Sequence, residues 1–150
     1  MLRVDFAFDA HDRVAQAVRT TLRQVGRGTP IMVFCDDKAR LDRYAQQLWA
    51  QQEDTGFMAH ERLTPEATEG LSVYLIDTSL WPLLASKLTT EPYQQSWLLN
   101  LDDAPPPEAG IFQRVLEIVS QEPEEREYAR ERWRFYQELG AQIHSHRLAS

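Results

Sequence analysis

The hydrophobic pattern of the N-terminal half alternates between segments typical of strands and segments typical of helices. In Arg3–Phe8 every second residue is apolar, which predicts a strand with one buried face. The next segment predicts a helix that Asp9 or Asp12 can cap and that ends at Gly26. Its apolar residues share one stripe: Val14, Val18, Leu22 and Val25. The chain is therefore expected to begin with a strand and a helix.

An uninterrupted apolar run, Ile31–Cys35, predicts a second strand that is covered on both faces. Asp36 and Asp37 follow this run and can cap a second helix. The apolar stripe of that helix consists of Leu41, Tyr44, Ala45 and Leu48. Because strand and helix alternate, the predicted fold class is three-layer α/β, with a mostly parallel sheet, flanking helices and a Rossmann-like topology.

The second half of the chain predicts further strands and then two terminal helices. Three strands come first: Phe57–Arg62, Ser72–Asp77 and Ser96–Asp102. Between them, Ser79–Thr90 predicts a short or broken helix, because Pro82 restricts where it can begin. Gly110–Ser120 and Glu124–Leu139 predict the terminal helices, with no strand after them. Residues 1–150 are expected to form one domain.

The charge balance argues against direct binding of a nucleic-acid backbone. The chain of 150 residues has 23 acidic and 16 basic side chains, a formal net charge of −7. Proteins that bind DNA or RNA without sequence preference usually carry a basic groove and have a high pI. Direct contact with nucleic acid is therefore not expected.

Membrane insertion, export and disulfide formation are not expected either. The longest apolar runs are strand-sized, well below the ~20 residues of a membrane span. Acidic residues interrupt the N-terminal segment, where a signal peptide needs a continuous apolar stretch. The single cysteine, Cys35, forms neither an internal disulfide nor a thiolate-rich metal site. These features predict a cytoplasmic protein.

Enzymatic function has weak support in the sequence. None of the six glycines belongs to a GxGxxG or GxxxxGK[ST] loop, so the common nucleotide-binding loops are absent. Asp36 and Asp37 follow a central strand, where open α/β sheets bind ligands. The alternative function is therefore a small nucleotide- or metabolite-binding enzyme that uses this region. Acidic neighbours disfavour Cys35 as a nucleophile, and His144 and His146 lack partners for a metal site, so no cofactor or metal is expected.

The last predicted helix has an aromatic and basic face opposite its apolar stripe. At about 100° per residue, Arg126, Arg130 and Trp133 fall within about 60° of one another, and Arg134 lies at the edge of this face. The apolar stripe holds Tyr128, Phe135, Tyr136 and Leu139. Arg132 falls within that stripe, so we expect its stem to run along the core and its head to emerge at the rim.

Two interpretations of this basic face remain open. A solvated helix with i, i+4 ion pairs, such as Glu122 with Arg126, accounts for the charges but not for an exposed tryptophan. Tryptophan and arginine are enriched at binding hot spots, and arginines bind a terminal carboxylate through charge-assisted, bidentate bonds. The second interpretation is therefore a site for an acidic peptide that carries an aromatic residue.

Three segments resemble the chi subunit of bacterial DNA polymerase III holoenzyme. They are the opening RVDFAFDA, the segment Leu41–His60, and Tyr128–Gly140 with the sequence YARERWRFYQELG. The predicted order of strands and helices also fits that family along essentially the whole chain. The resemblance implies a non-catalytic accessory subunit with an α/β fold similar to nucleotide-binding folds.

The resemblance implies a first partner, single-stranded DNA-binding protein (SSB), through the acidic, Phe-terminated C-terminal tail of SSB. The pocket of the family for this tail lies on the last helix. The matching positions here are Arg126, Arg130, Trp133 and Arg134. Val119, together with Val115, is expected to supply an apolar wall for the terminal Phe from the preceding helix.

The second implied partner is the psi subunit of the clamp loader, or another clamp-loader or helicase partner on the same surface. The family uses a Trp late in the second helix and a Phe shortly after it, which match Trp49 and Phe57. Trp49 directly follows Leu48, so it leaves the apolar stripe by about 100°. The alternative is that Trp49 and Phe57 only pack within the fold.

Overall fold

Seven parallel strands form one sheet in the computed structural model, which describes residues 2–55, 60–62, 73–82, 96–106 and 108–148. The strands are β1 (Arg3–Ala10), β2 (Ile31–Phe34), β3 (His60–Arg62), β4 (Val73–Ile76), β5 (Trp97–Asn100), β6 (Arg114–Ser120) and β7 (Gln142–Arg147). The long helices in these ranges are α1 (Arg13–Gly26), α2 (Lys38–Thr55) and α3 (Pro123–Glu138). The strand order is β3-β4-β2-β5-β6-β1-β7, and every pairing is parallel.

Helices cover both faces of this sheet, as the side chains of β2 illustrate. Ile31 and Val33 point into the core that α1 and α2 share with the sheet. Met32 and Phe34 point into the opposite core, to which α3 contributes Tyr136. All four side chains of β2 are buried, and the burial of each stabilises the fold by about 1.5–3 kcal/mol relative to an exposed position. The three-layer α/β prediction and the two-sided burial of this strand are confirmed.

The helices α1 and α2 begin at caps that the sequence predicts. The Asp12 carboxylate accepts the backbone N–H of Ala15 at 3.0 Å. The Asp37 carboxylate accepts the backbone N–H of Arg40 at 3.1 Å. Each bond satisfies an N–H group that the first turn of a helix otherwise leaves without a partner. Asp9, the alternative cap of α1, has a different role that the site geometry explains below.

The strands predicted in the middle of the chain are present where the structure describes them. The predicted strands Ser72–Asp77 and Ser96–Asp102 contain β4 and β5. β3 begins at His60, and residues 57–59 of the predicted strand lie outside the described residues. A 3-10 turn at Thr78–Leu80 precedes two helical residues. Residues 83–90 of the predicted broken helix also lie outside the described residues.

The predicted helix over Gly110–Ser120 is wrong, because this segment forms β6 after a short 3-10 turn at Ala109–Ile111. The spacing of Val115, Ile118 and Val119 fits one face of a helix as well as a strand that is buried on both faces. β6 lies between β1 and β5, and six of its seven residues are buried. Its β-branched residues pack well on a pleated sheet, so tertiary pairing decides an ambiguous local pattern.

The strand β7 contradicts the prediction that no strand follows the last helix. Gly140 has φ +75°, a left-handed conformation that ends α3 and lets the chain turn back to the sheet. β7 then pairs with β1 from Gln142 to Arg147. Because β7 is mostly polar and exposed, it lacks the apolar alternation that marks a strand. His144 and His146 lie in this strand.

Candidate functional site

A groove of about 480 Å³ lies between α3 and the sheet surface formed by β1, β6 and β7. The sheet supplies the floor of the groove: Phe6, Phe8, Val119 and Ser145. The helix supplies the wall: Arg126, Ala129, Arg130, Trp133, Arg134 and Gln137. The floor is mainly apolar and the wall is mainly basic, which combines the two kinds of surface that an acidic peptide with an aromatic residue requires.

The structure brings together all five residues that the sequence predicts for this surface. They are Arg126, Arg130, Trp133, Arg134 and Val119. Val119 reaches the groove from β6 and not from a helix, while its predicted companion Val115 is fully buried in the core and does not line the groove. The clustering of these side chains follows from the fold, and their role in binding stays a prediction.

The stripe of α3 that faces the core matches the predicted one only in part: Tyr136 is fully buried and Phe135 packs against the core, as predicted. Its buried residues are Ala129, Arg132 and Tyr136. Tyr128 and Leu139 were expected in the core stripe, but they are 36% and 50% exposed. The face of α3 that packs on the sheet carries a small residue and an arginine, because Arg132 has a buried acidic partner. The positions of the apolar residues alone do not reveal this partner.

Trp133 is half-buried, although the helical wheel predicts an exposed side chain. Its ring lies 4.8 Å from the ring of Phe6, centroid to centroid, with the planes inclined at 43°. Tilted aromatic pairs at such distances contribute about 0.5–1.5 kcal/mol beyond the area they bury. Trp133 therefore packs against Phe6 of β1 at one side of the groove, and the remaining surface of its side chain faces the groove.

Arg132 does not emerge at the rim as predicted, because its guanidinium forms a buried ion pair. Arg132 Nε donates to Glu117 Oε1 at 2.9 Å, and Arg132 Nη1 donates to the backbone carbonyl of Asp103 at 3.0 Å. The side chains of Arg132 and Glu117 are 1% and 0% exposed. The remaining carboxylate oxygen, Glu117 Oε2, accepts from the Tyr136 hydroxyl at 2.6 Å and the Asn100 amide at 2.8 Å. The central carboxylate is thus fully hydrogen-bonded, which a buried charge requires.

A second buried arginine, Arg13 at the start of α1, completes this cluster under the carboxyl ends of the strands. Arg13 Nη2 donates to the backbone carbonyls of Asp102 at 2.8 Å and Asn100 at 3.3 Å, and lies 3.9 Å from Glu117. Burial lowers the pKa of the Arg13 guanidinium to about 10, so it remains charged at neutral pH. The cluster joins α1, β5, β6 and α3, and it fixes the helix that forms the groove wall.

At one end of the groove, Arg126 is held by Asp9 in the bulge of β1. Arg126 Nη2 donates to Asp9 Oδ1 at 2.9 Å, and Arg147 Nε donates to Asp9 Oδ2 at 2.5 Å. Asp9 has φ +68°, and the register of β1 against β6 shifts between Ala7 and Ala10. Hydrogen bonds from Arg147 and Arg126 hold the pKa of Asp9 below its usual value. The predicted Glu122–Arg126 pair is replaced by this contact between α3 and β1.

The other two groove arginines are more available to a ligand. Arg130 pairs only with Glu127 at 2.5 Å among the described residues, and both side chains are about two-thirds exposed. Such an exposed i, i+3 pair is worth a few tenths of a kcal/mol and is readily exchanged for another carboxylate. Arg134 is exposed and has no ion-pair partner in the part of the chain that the structure describes. The described lining contains no acidic side chain, so the groove has a local positive charge in a chain of net charge −7.

Comparison with known proteins shows similarity along nearly the whole chain. The model of a family described as DNA polymerase III chi subunit, HolC, matches residues 1–144. The chain belongs to this family. It is 28% identical to the DNA polymerase III subunit chi of Pseudomonas aeruginosa over 154 aligned positions, which cover 99% of this chain and 98% of the relative. The resemblance drawn from the three sequence segments is confirmed, and membership of the chi family supports an accessory role in DNA replication.

The two residues predicted for the psi side of this chi-family chain lie apart from the groove. Trp49 is on α2, which packs on the opposite face of the sheet from α3, and 58% of Trp49 is exposed. The predicted stripe beneath it is correct, because Leu41, Tyr44 and Leu48 are buried. Phe57 lies outside the described residues.

The carboxylates of Asp36 and Asp37 both accept hydrogen bonds from neighbouring residues of this chi-family fold. The Asp36 carboxylate accepts both the backbone N–H and the hydroxyl of Thr78, and Asp37 caps α2. Cys35 is 1% exposed, and burial raises the pKa of its thiol to about 11. A thiol with this pKa is protonated at neutral pH and is a poor nucleophile. The geometry therefore gives no support to the enzyme alternative.

The described residues of this chi-family chain contain neither a metal-binding cluster nor a membrane-spanning helix. In these ranges no group of three or more His, Cys, Asp and Glu side chains is arranged to hold a metal ion. Likewise, no described helix combines the length and the apolar character needed to cross a bilayer.

Sequence reasoning missed several groove residues of this chi-family chain. Phe6 and Phe8 were identified only as one face of a strand, and their alternation does not say which helix covers that face. Ser145 belongs to the strand that was not predicted. Asp9 carries no local signal for its role, because its partners are Arg126 and Arg147, more than a hundred residues away.

Proposed function

We propose that this chi-family protein binds the acidic C-terminal tail of SSB in the groove between α3 and the sheet. Through a second surface around Trp49 on α2, it joins SSB to the clamp loader of DNA polymerase III, by way of psi or another clamp-loader or helicase partner. In this role the protein is a non-catalytic, cytoplasmic subunit that needs no cofactor and makes no direct contact with nucleic acid.

One observation carries the proposal: three arginines and no acidic side chain surround an apolar floor in the described lining of the groove. Arg130 and Arg134 offer guanidinium groups that a terminal carboxylate can bind by paired, charge-assisted hydrogen bonds. Phe6, Trp133 and Val119 offer a surface for an aromatic side chain. A phenylalanine that ends an acidic tail combines both groups in one residue.

The charge distribution also explains why the protein contacts SSB and not the DNA itself. A net charge of −7 gives the chain no long-range attraction to a phosphate backbone. The groove is a small positive area, of a size that suits a few residues of an acidic peptide. Binding at DNA is thus indirect, through a protein that coats it.

The arrangement of the two surfaces supports a bridging role. α3 and α2 pack on opposite faces of the sheet, so a tail in the groove and a partner at Trp49 do not compete for space. Because the sheet separates the two surfaces, one protein can hold both partners at once.

Titration with a peptide that ends in Asp-Asp-Ile-Pro-Phe tests the proposal. We expect micromolar binding, which is common for short peptides. Arg130→Ala should weaken binding at least about tenfold, because a hydrogen bond between charged groups contributes about 1.5–3 kcal/mol. Arg43→Ala is the matched control, since Arg43 is an exposed arginine of α2 on the opposite side of the sheet. Equal affinities of the wild type, Arg130→Ala and Arg43→Ala would contradict the proposal.

A pull-down from a lysate of the native organism tests the second surface. The wild-type protein should retain SSB together with clamp-loader subunits. Trp49→Ala should still retain SSB and lose the clamp-loader subunits, whereas Arg130→Ala should show the reverse pattern. Retention of clamp-loader subunits by Trp49→Ala at the wild-type level would contradict the assignment of that surface.

A further inference from the structure

The outer edge of β7 carries backbone groups that no other strand uses in the described part of the chain. The N–H of Gln142 donates to the Leu2 carbonyl at 2.9 Å, and the N–H of Leu148 donates to the Phe8 carbonyl at 2.9 Å. Backbone groups of successive residues in a strand point in alternate directions. The even-numbered residues of β7 therefore bond β1, and Ile143, Ser145 and Arg147 direct their N–H and C=O groups outward.

β7 is the last strand in the sheet, so this edge is open among the described residues. Its only strand partner there is β1. Five of the six residues of β7 are exposed, and Ile143 is half-buried against the core beneath α3. An exposed edge of this kind is a template for a further strand.

The side chains of β7 select the kind of strand that can pair with it. The strand contains His144, His146 and Arg147, and no acidic residue. The Arg147 side chain is 75% exposed although its Nε bonds Asp9, and a second copy of the strand would bring no carboxylate to it. An acidic peptide brings the complementary charge.

The open edge is continuous with the groove. Ser145 lines the groove and also directs its backbone groups toward the edge. Phe8, in the neighbouring strand β1, lines the groove beside it. A peptide that leaves the groove over Ser145 therefore reaches the outward N–H and C=O groups without crossing another element of the described fold.

We propose that the segment of the SSB tail that precedes its groove-bound end pairs with β7 as an additional strand of the sheet. This proposal rests on the proposed function and adds to it a recognition mode, β-strand addition, in which main-chain hydrogen bonds contribute affinity. The outward residues from Ile143 to Arg147 span about 13 Å, since a strand rises about 3.3 Å per residue, and they pair with about four or five residues of peptide.

Peptides of two lengths and two methylation patterns test this proposal on the wild-type protein. The short peptide is Asp-Asp-Ile-Pro-Phe. The long peptide has the same end and continues the natural tail upstream of it by about eight residues, enough to follow the strand. Two further long peptides carry backbone N-methyl groups at alternate upstream positions, in opposite registers. Because only one register points toward β7, methylation in that register removes hydrogen-bond donors from the pairing, and methylation in the other does not.

The long peptide should bind at least about fivefold more tightly than the short one, as expected for several added main-chain hydrogen bonds. One methylated peptide should fall to the affinity of the short peptide, and the other should keep most of the gain. The amides of Ile143, Ser145 and Arg147 should become protected from hydrogen exchange when the long peptide binds, and the short peptide should leave them unprotected.

Four results would overturn the proposal, and they are distinguishable. Equal affinities of the short and long peptides, or an equal loss for both methylated peptides, would mean that β7 does not pair with the tail. Protection of the three amides without peptide, together with a doubled mass in solution, would mean that a second copy occupies the edge. Failure of the short peptide to bind would instead refute the proposed function on which this inference rests.

Discussion

Arg132 of α3 and Glu117 of β6 form an ion pair in the interior of the protein. Arg132 Nε lies 2.9 Å from Glu117 Oε1, and neither side chain is more than 1% exposed. Each residue has a close neighbour in the groove: Trp133 follows Arg132 in the helix, and Val119 lies two residues beyond Glu117 in the strand. The pair thus ties the groove wall to its floor, and the position of the candidate site depends on it.

Replacing Arg132 with leucine should lower the free energy of unfolding by about 3–5 kcal/mol, the range found when one partner of a buried pair is removed. The cost arises because the Glu117 carboxylate then stays buried, with Arg13 at 3.9 Å as its remaining cationic neighbour. Urea denaturation followed by circular dichroism measures this change.

Arg134→Leu is the matched control for that experiment, since Arg134 lies two residues further along α3 and is exposed. Exposed substitutions away from special features usually change stability by no more than about 0.5 kcal/mol. A loss below about 1 kcal/mol in Arg132→Leu would show that the ion pair does not hold the helix in place.

Asp9→Asn should remove a pH-dependent contribution to stability. Hydrogen bonds from Arg147 and Arg126 depress the pKa of Asp9 in the folded protein. Such a group stabilises the fold above its unfolded pKa, near 4, and loses this effect as the pH falls through the lower, folded pKa. The wild type should therefore be more stable than Asp9→Asn at pH 6, and the difference should shrink below about pH 4.

Asparagine is the suitable replacement because it also tolerates the left-handed backbone, here φ +68°. Urea midpoints of both proteins, measured from pH 6 down to pH 3, give the comparison. A difference that stays constant over this range would contradict the coupling of Asp9 to the two arginines.

Cys35 should be inert in the folded protein. It is 1% exposed, and burial raises the pKa of its thiol to about 11. Ellman's reagent at pH 8 should react with it only after unfolding in urea, when the thiol regains an ordinary pKa of about 8.5. Rapid reaction of the native protein would indicate an accessible thiolate. It would support the alternative that the protein is an enzyme with a site near Asp36.

Binding of the peptide in the groove should change tryptophan fluorescence through one residue. Trp133 lines the groove, whereas Trp49 is on the opposite face of the sheet. Saturating peptide should therefore change the emission of the wild type and of Trp49→Phe, and should leave Trp133→Phe nearly unchanged. A response that depends on Trp49 would place the peptide elsewhere.

Local patterns were sufficient to predict much of the fold. The apolar run Ile31–Cys35 and the caps at Asp12 and Asp37 act over a few residues, so the sequence around them determines their structure. β6 was misassigned because one apolar spacing suits a helix and a doubly buried strand equally well. β7 was missed because an exposed edge strand needs no apolar residues.

The residues of the candidate site that lie on α3 could be predicted, but their partners on other elements could not. Arg126, Arg130 and Trp133 share a face through helical geometry alone, and the structure brings them to one groove. The buried role of Arg132 required knowledge that Glu117 faces it from β6, which depends on tertiary pairing. The same limit applies to Asp9, whose partners are distant in sequence.

Binding of the terminal carboxylate by Arg130 is tested most directly by comparing a tail peptide that has a free terminal carboxylate with the same peptide that has a terminal amide. Calorimetric dissociation constants of both peptides are measured for the wild type and for Arg130→Ala. We predict that amidation weakens binding to the wild type about tenfold or more and has little effect on Arg130→Ala, because the carboxylate and the guanidinium bind each other. An amide that binds the wild type as tightly as the acid, or equal losses in both proteins, would contradict it.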